Sequence, residues 1–95
     1  MLEQNRKVTL HNRLGLHVRT ATLLVKLASQ FDCEVTLARE GFVPANAKSI
    51  MSVLTLAAPR GTTLIVTVKG TDATVLKDCL DQIENLTTHG FNEEE

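Results

Sequence analysis

The run Thr62 to Lys69, TTLIVTVK, is the most β-branched stretch of the chain. Branching at Cβ restricts a side chain in a helix and suits it to a pleated surface, so this run is read as a central strand. Gly70 closes it, and Thr71 or Asp72 can cap a helix that follows. A central strand needs partners on both edges and a cover on at least one face. A chain of 95 residues has room for one core to supply them. With 3 Phe and no Trp or Tyr, that core must be filled by Leu, Val, Ile and Ala.

The other elements are found by their period. Arg6 to His11 alternates, with Val8 and Leu10 on one side, and Cys33 to Ala38 does the same with Cys33, Val35 and Leu37; both read as half-buried strands. Phe42-Val43 reads as a brief strand ended by Pro44. Val18 to Phe31 carries Ala21, Leu24, Ala28 and Phe31 at helical spacing, with Leu27 widening the stripe. Lys48 to Leu56, with Ile50, Val53 and Leu54 on one side, predicts a short helix, and Leu76, Cys79, Leu80 and Ile83 predict the last one. Asn12 to Gly15 and Pro59 to Gly61 are turns. The acidic ending, about residues 92–95, reads as solvated and frayed. The order β-α-β-β-α-β-α describes an α+β fold in a single domain over residues 1–95, an open-faced β-sandwich whose helices share one face of a small sheet. The pattern leaves the strand directions open.

Composition excludes several classes of function. A formal net charge of -1 lacks the basic excess of a generic nucleic-acid binder. The opening MLEQNRKV has no apolar run of the kind a signal peptide needs, and no later run is long enough for membrane insertion. Cys33 and Cys79 belong to no C-x-x-C pair and read as small buried hydrophobes. No Cys/His spacing suits a metal. A cytoplasmic protein without a metal is expected.

Chemistry gathers where the first strand meets the first helix. The start of a helix leaves backbone N–H groups unpaired and favours negative charge, so an anion placed there is stabilised. His17 falls at that start and Arg19 lies inside the first turn. An imidazole is largely neutral near pH 7 and can act as a nucleophile. A phosphoryl group attached to it would meet free N–H groups and a guanidinium able to fork onto phosphate oxygens. Gly15 is read as giving a partner close access to the backbone. On residue type and position alone, a histidine that only caps or packs at a helix start is the commoner case.

The segment Gly15-Leu16-His17-Val18-Arg19-Thr20-Ala21, preceded by Asn12-Arg13-Leu14, resembles the active-site signature of the HPr family of bacterial phosphocarriers, usually G-[LM]-H-A-R-P-A. Lys48-Ser49-Ile50-Met51 resembles that family's K-S-I-M segment, at the expected distance. The element order agrees across nearly the whole chain. The resemblance implies a four-stranded antiparallel sheet with three helices on one face, working without a cofactor. It implies a phosphocarrier of the phosphoenolpyruvate-dependent phosphotransferase system. His17 would accept the phosphoryl group from an Enzyme I-type donor and pass it to a IIA-type acceptor, with Arg19 stabilising it. Ser49 takes the regulatory position, open to a serine kinase, although at the start of a short helix a serine that only caps the helix is the commoner case. Leu16, Thr20, Ile50, Met51 and Leu54 fall to the partner-binding surface, with Met51 the most exposed because it lies off the apolar stripe. A monomer is expected, since transient docking needs the His17 surface free. The Asn12-Arg13 approach and the ending Gly90-Phe91-Asn92-Glu93-Glu94-Glu95 look closer to the nitrogen-related branch.

One position departs from the family pattern. Thr20 stands where proline is usual, giving up a pre-organised first turn for a hydroxyl that can cap the helix or touch the phosphate. Two other readings compete. One is a regulatory protein-binding domain switched at Ser49; members of that kind typically lack the histidine, which this chain keeps. The other is a small acylphosphatase-like hydrolase, whose phosphate-cradling loop and water-positioning Asn are not apparent here.

Overall fold

The computed structural model describes residues 1–93. Four strands and three helices follow in the order β1 (Leu2–Thr9), α1 (Val18–Ala28), β2 (Glu34–Ala38), β3 (Ala45–Asn46), α2 (Ile50–Leu54), β4 (Thr63–Gly70) and α3 (Ala73–Thr88), and a terminal turn spans Gly90–Asn92. The sheet order is β1-β4-β2-β3, and every pairing is antiparallel. The β-branched run is therefore interior, between β1 and β2. Those two run parallel to each other with β4 inserted between them, the split βαβ arrangement.

Register puts like with like. Val8 faces Leu64, Leu37 faces Val66 and Val35 faces Val68, all buried on one side of the sheet. Glu3, Lys7, Glu34, Thr36, Thr63 and Lys69 occupy the open side. Ala21, Leu24 and Ala28 of α1 and Leu76, Cys79, Leu80 and Ile83 of α3 close the core over the inner face. The Asp72 carboxylate caps α3, accepting from Thr74 N–H at 2.9 Å and Val75 N–H at 3.4 Å.

Two strand boundaries and the packing of α2 differ from expectation. β1 begins at Leu2, because its ladder with β4 runs unbroken from Leu2–Gly70 to Thr9–Thr63 and pairing orders residues that lack any alternation. The third strand is Ala45–Asn46, not Phe42-Val43. Phe42 lies under the Arg39 guanidinium, 4.2 Å from its ring centroid, Val43 is exposed, and pairing to β2 starts only beyond Pro44. In α2 only Val53 is fully buried; Leu54 is half-buried and Ile50 turns outward.

The chain ending is ordered further than its acidity suggests. Gly90 follows α3 with φ +59, and Phe91 and Asn92 keep positive φ, so the backbone reverses. A phenylalanine in that region is strained by roughly 1–2 kcal/mol. Burying Phe91 to 1% exposure offsets this by about 2 kcal/mol. Glu93 is thereby folded back against the body of the protein, which corrects the expectation of a frayed tail from residue 92; Glu94 and Glu95 lie outside the described residues.

Candidate functional site

The loop between β1 and α1 is tied from inside. Asn12, only 1% exposed, donates through Nδ2 to the Gly15 carbonyl at 2.8 Å, and Gly15 N–H returns a bond to Asn12 O at 3.2 Å. Leu16 N–H reaches across to Ala58 O at 2.8 Å. Gly15 has φ +64, and a Cβ there would stand 2.2 Å from Ala58 O. The glycine is thus required by the approach of the Ala58-Pro59 backbone. It does not open the backbone to a partner, as its place in the sequence motif suggested.

His17 is the N-cap of α1, extended at φ -137 and ψ -178, with its carbonyl accepting from Ala21 N–H at 2.8 Å. Its side chain is 30% exposed. Nε2 contributes nothing to that exposure and has no hydrogen-bond partner among the described residues. Glu93 Oε2 lies 3.5 Å from Nε2 and 3.8 Å from Arg19 Nη1. The other carboxylate oxygen, Oε1, accepts from Asn12 Nδ2 at 2.9 Å. His17, Arg19, Glu93 and Asn12 therefore form one cluster on the first turn of α1. The acidic ending hid Glu93 from a reading of the sequence. The signal that could have found it is Gly90-Phe91, a helix-ending glycine followed by an apolar residue that packs back on the helix.

Thr20 is fully buried. Its hydroxyl accepts from His17 N–H at 3.1 Å and donates to Gly15 O at 2.7 Å, so it caps the helix start and has no surface to offer a partner. Leu16, 7% exposed, belongs to the core as well. Both are corrected from docking residues to supports of the His17 loop. Met51 is 76% exposed, Ile50 lies at the exposed margin and Leu54 is half-buried. Leu14 and Val18, which flank His17 in the chain, are 63% and 66% exposed and were not singled out in the sequence. Since α1 packs on α2, these apolar side chains and His17 belong to neighbouring elements.

Ser49 is the N-cap of α2; its Oγ accepts from Ser52 N–H at 3.3 Å, and its backbone is extended. Among the described residues no cluster of His, Cys, Asp or Glu could hold a metal ion, and no helix is long and apolar enough to cross a membrane.

Comparison with known proteins places this arrangement. Residues 4–88 match the family PTS-HPr, described as the PTS HPr component phosphorylation site. The phosphocarrier protein NPr of Shewanella violacea is 41% identical over 80 residues, covering 84% of this chain and 87% of that protein. The phosphocarrier protein HPr of Treponema pallidum is 42% identical over 83 residues, covering 87% of this chain and 90% of the relative. Among solved structures, HPr-C-His from Thermoanaerobacter tengcongensis superposes with a TM-score of 0.86 at 27% identity, covering 97% of this chain and 99% of that one.

Proposed function

This chain belongs to the HPr family of phosphotransferase-system phosphocarriers, and we propose that His17 is the residue on which it carries the phosphoryl group. The observation that carries this reading is a part-exposed imidazole at the N-terminus of α1 with the Arg19 guanidinium close by. Nε2 is enclosed, which leaves Nδ1 as the reacting nitrogen.

The reaction needs few groups. The Nδ1 lone pair attacks phosphorus on a phosphohistidine of an Enzyme I-type donor, itself charged from phosphoenolpyruvate. The donor N–P bond breaks, and its electron pair returns to the donor ring. The new phosphoryl group lies at a helix N-terminus, where unpaired N–H groups and the dipole favour its charge. Arg19, two-thirds exposed and 3.8 Å from Glu93 Oε2 through Nη1, has further N–H groups to fork onto the phosphoryl oxygens. A IIA-type acceptor histidine then takes the group by the same displacement in reverse order.

Leu14, Val18, Ile50, Met51 and Leu54 supply the apolar docking surface around the reacting ring, and methionine adapts to more than one partner. The protein acts as a cytoplasmic monomer in one domain, with this face free between encounters. A serine kinase acting at Ser49 would place phosphate at the start of α2, beside Ile50 and Met51, and so block docking without unfolding the helix. Relatives named HPr and NPr match the chain equally well, so identity does not separate the sugar and nitrogen branches. The acidic ending favours the nitrogen-related one.

The test is incubation with phosphoenolpyruvate and an Enzyme I-type protein of each branch, followed by acid treatment. We expect an acid-labile label that His17→Ala abolishes. Arg19→Ala is expected to slow labelling by about tenfold or more while leaving the melting temperature nearly unchanged. An acid-stable label, or one that persists in His17→Ala, would overturn the carrier mechanism. The faster donor names the branch.

A further inference from the structure

Glu93 is the one charged side chain of the His17 cluster that the transfer reaction, as described, does not use. Its side chain is 15% exposed and both carboxylate oxygens face partners, Oε1 accepting from Asn12 Nδ2 at 2.9 Å and Oε2 lying 3.5 Å from His17 Nε2 and 3.8 Å from Arg19 Nη1. Asn12 serves here as a donor only. Its Nδ2 supplies both Gly15 O and Glu93, while Oδ1 is buried without a hydrogen-bond partner among the described residues. Such a site calls for an amide and disfavours an aspartate, which would set carboxylate against carboxylate. The buried Phe91 fixes the backbone two residues before Glu93.

We propose that Glu93 is a positioning residue for phosphoryl transfer: it keeps the proton of His17 on Nε2 and stabilises the positive charge that the ring acquires as Nδ1 bonds to phosphorus. This role rests on the carrier reading of His17. When the Nδ1 lone pair forms the new N–P bond, the donor's N–P pair returns to the donor ring and the proton on Nε2 stays where it is. The ring is left with a charge shared onto Nε2–H, facing Oε2. On onward transfer the N–P pair returns to Nδ1 and that charge is discharged. A carboxylate beside an imidazole acts in this way in the serine-protease triad, orienting the ring and stabilising its cationic form.

The resting separation of 3.5 Å is longer than a strong hydrogen bond. Catalytic hydrogen bonds are often long before the reacting complex forms and tighten as charge develops. Repulsion between Glu93 and the phosphoryl group is the opposing effect. The phosphoryl group joins the other nitrogen of the ring, and Arg19 lies within reach of the carboxylate to offset its charge. Coulomb energy falls with distance, which weakens the repulsion relative to the attraction of the nearer ring charge. The Arg19 guanidinium supplies the rest of the balance against the phosphoryl group's larger charge.

Glu93→Gln tests this, because it keeps the shape and an acceptor for Asn12 but removes the charge. Transfer from the phosphorylated donor is measured by rapid quench, and the phosphorylated ring by ¹⁵N NMR at a fixed neutral pH. We expect transfer about tenfold slower, the loss of one charge contact to the reacting ring. A smaller share of phosphorylated rings should hold a proton on Nε2, with thermal stability unchanged. Parental rates and an unchanged ¹⁵N spectrum in Glu93→Gln would overturn the role of Glu93 and leave the carrier reading standing. Absence of an acid-labile phosphate on the parent chain would overturn both.

Discussion

Thr20 shows how one hydroxyl can decide the shape of a site. At N3 of a helix it looks like a surface residue, and beside the reacting histidine it looks available to the phosphate. Instead the loop before α1 folds back over it, and its oxygen joins His17 N–H to Gly15 O. The nearness of Thr20 to His17 was therefore legible in the sequence, but the burial was not, because it depends on Leu16 and Gly15 meeting Ala58, more than forty residues away. Replacing Thr20 by valine keeps the volume and removes both bonds. His17 N–H then loses its acceptor in a partly buried place, at a cost of about 1 kcal/mol. In a domain of this size that lowers the melting temperature by about 4–8 °C per kcal/mol. The check is a thermal melt of Thr20→Val, and an unchanged midpoint would mean that the hydroxyl bonds are not needed. Phosphoryl transfer should fall in the same variant, since the backbone of His17 is no longer fixed.

Among the elements, helix α3 shows what periodicity can and cannot tell. Its stripe of Leu76, Cys79, Leu80 and Ile83 is buried as the spacing requires. Its polar face carries information that spacing does not. Arg6, on the inner side of edge strand β1, pairs with Asp81 and reaches Glu84 at 3.3 Å, while Lys77 Nζ lies 2.7 Å from the other Asp81 oxygen. Lys77 first, and then Arg6, hold the Asp81 carboxyl below its ordinary value. The folded state thus favours the charged form. Its contribution is complete above the ordinary carboxylate value of about 3.9 and disappears as pH falls through the lower folded value. We expect the melting temperature of the parent chain to fall below about pH 4 more steeply than that of Asp81→Asn, with the gap narrowing in high salt because the group is exposed. Parallel curves would show that the ion pairs add nothing. The two strand boundaries that moved have the same origin as this contact. β1 starts at Leu2 and β3 at Ala45 because ladders to β4 and β2 set them, and a ladder is invisible to a window that sees one segment at a time.

At the scale of the whole molecule, the order β1-β4-β2-β3 follows from the single feature that the sequence states most strongly. A β-branched run late in the chain takes an interior place, and the first two long strands must leave a gap to receive it. The last third of the chain therefore supplies both the interior strand β4 and the helix α3 that closes the core over the sheet. Cys33 precedes β2 and Cys79 belongs to α3, and both are buried in that core, at 9% and 0% exposure. Burial, and then the neighbouring Cys33 thiol, push the Cys79 thiol up to about 12. A neutral, enclosed thiol is not a nucleophile, so Cys79 should react with a thiol reagent only through unfolding. In native buffer near pH 8 we expect Cys79 labelling to be slow. Its rate should rise with denaturant along the same transition that circular dichroism follows, since a buried site shared by sheet and helix opens with the global free energy. Labelling that ran ahead of the spectroscopic transition would reveal α3 detaching from the sheet by itself. The turn that carries Glu93 follows α3 directly and would move with it, so that result would also predict loss of the contact to His17 before the rest of the fold is lost.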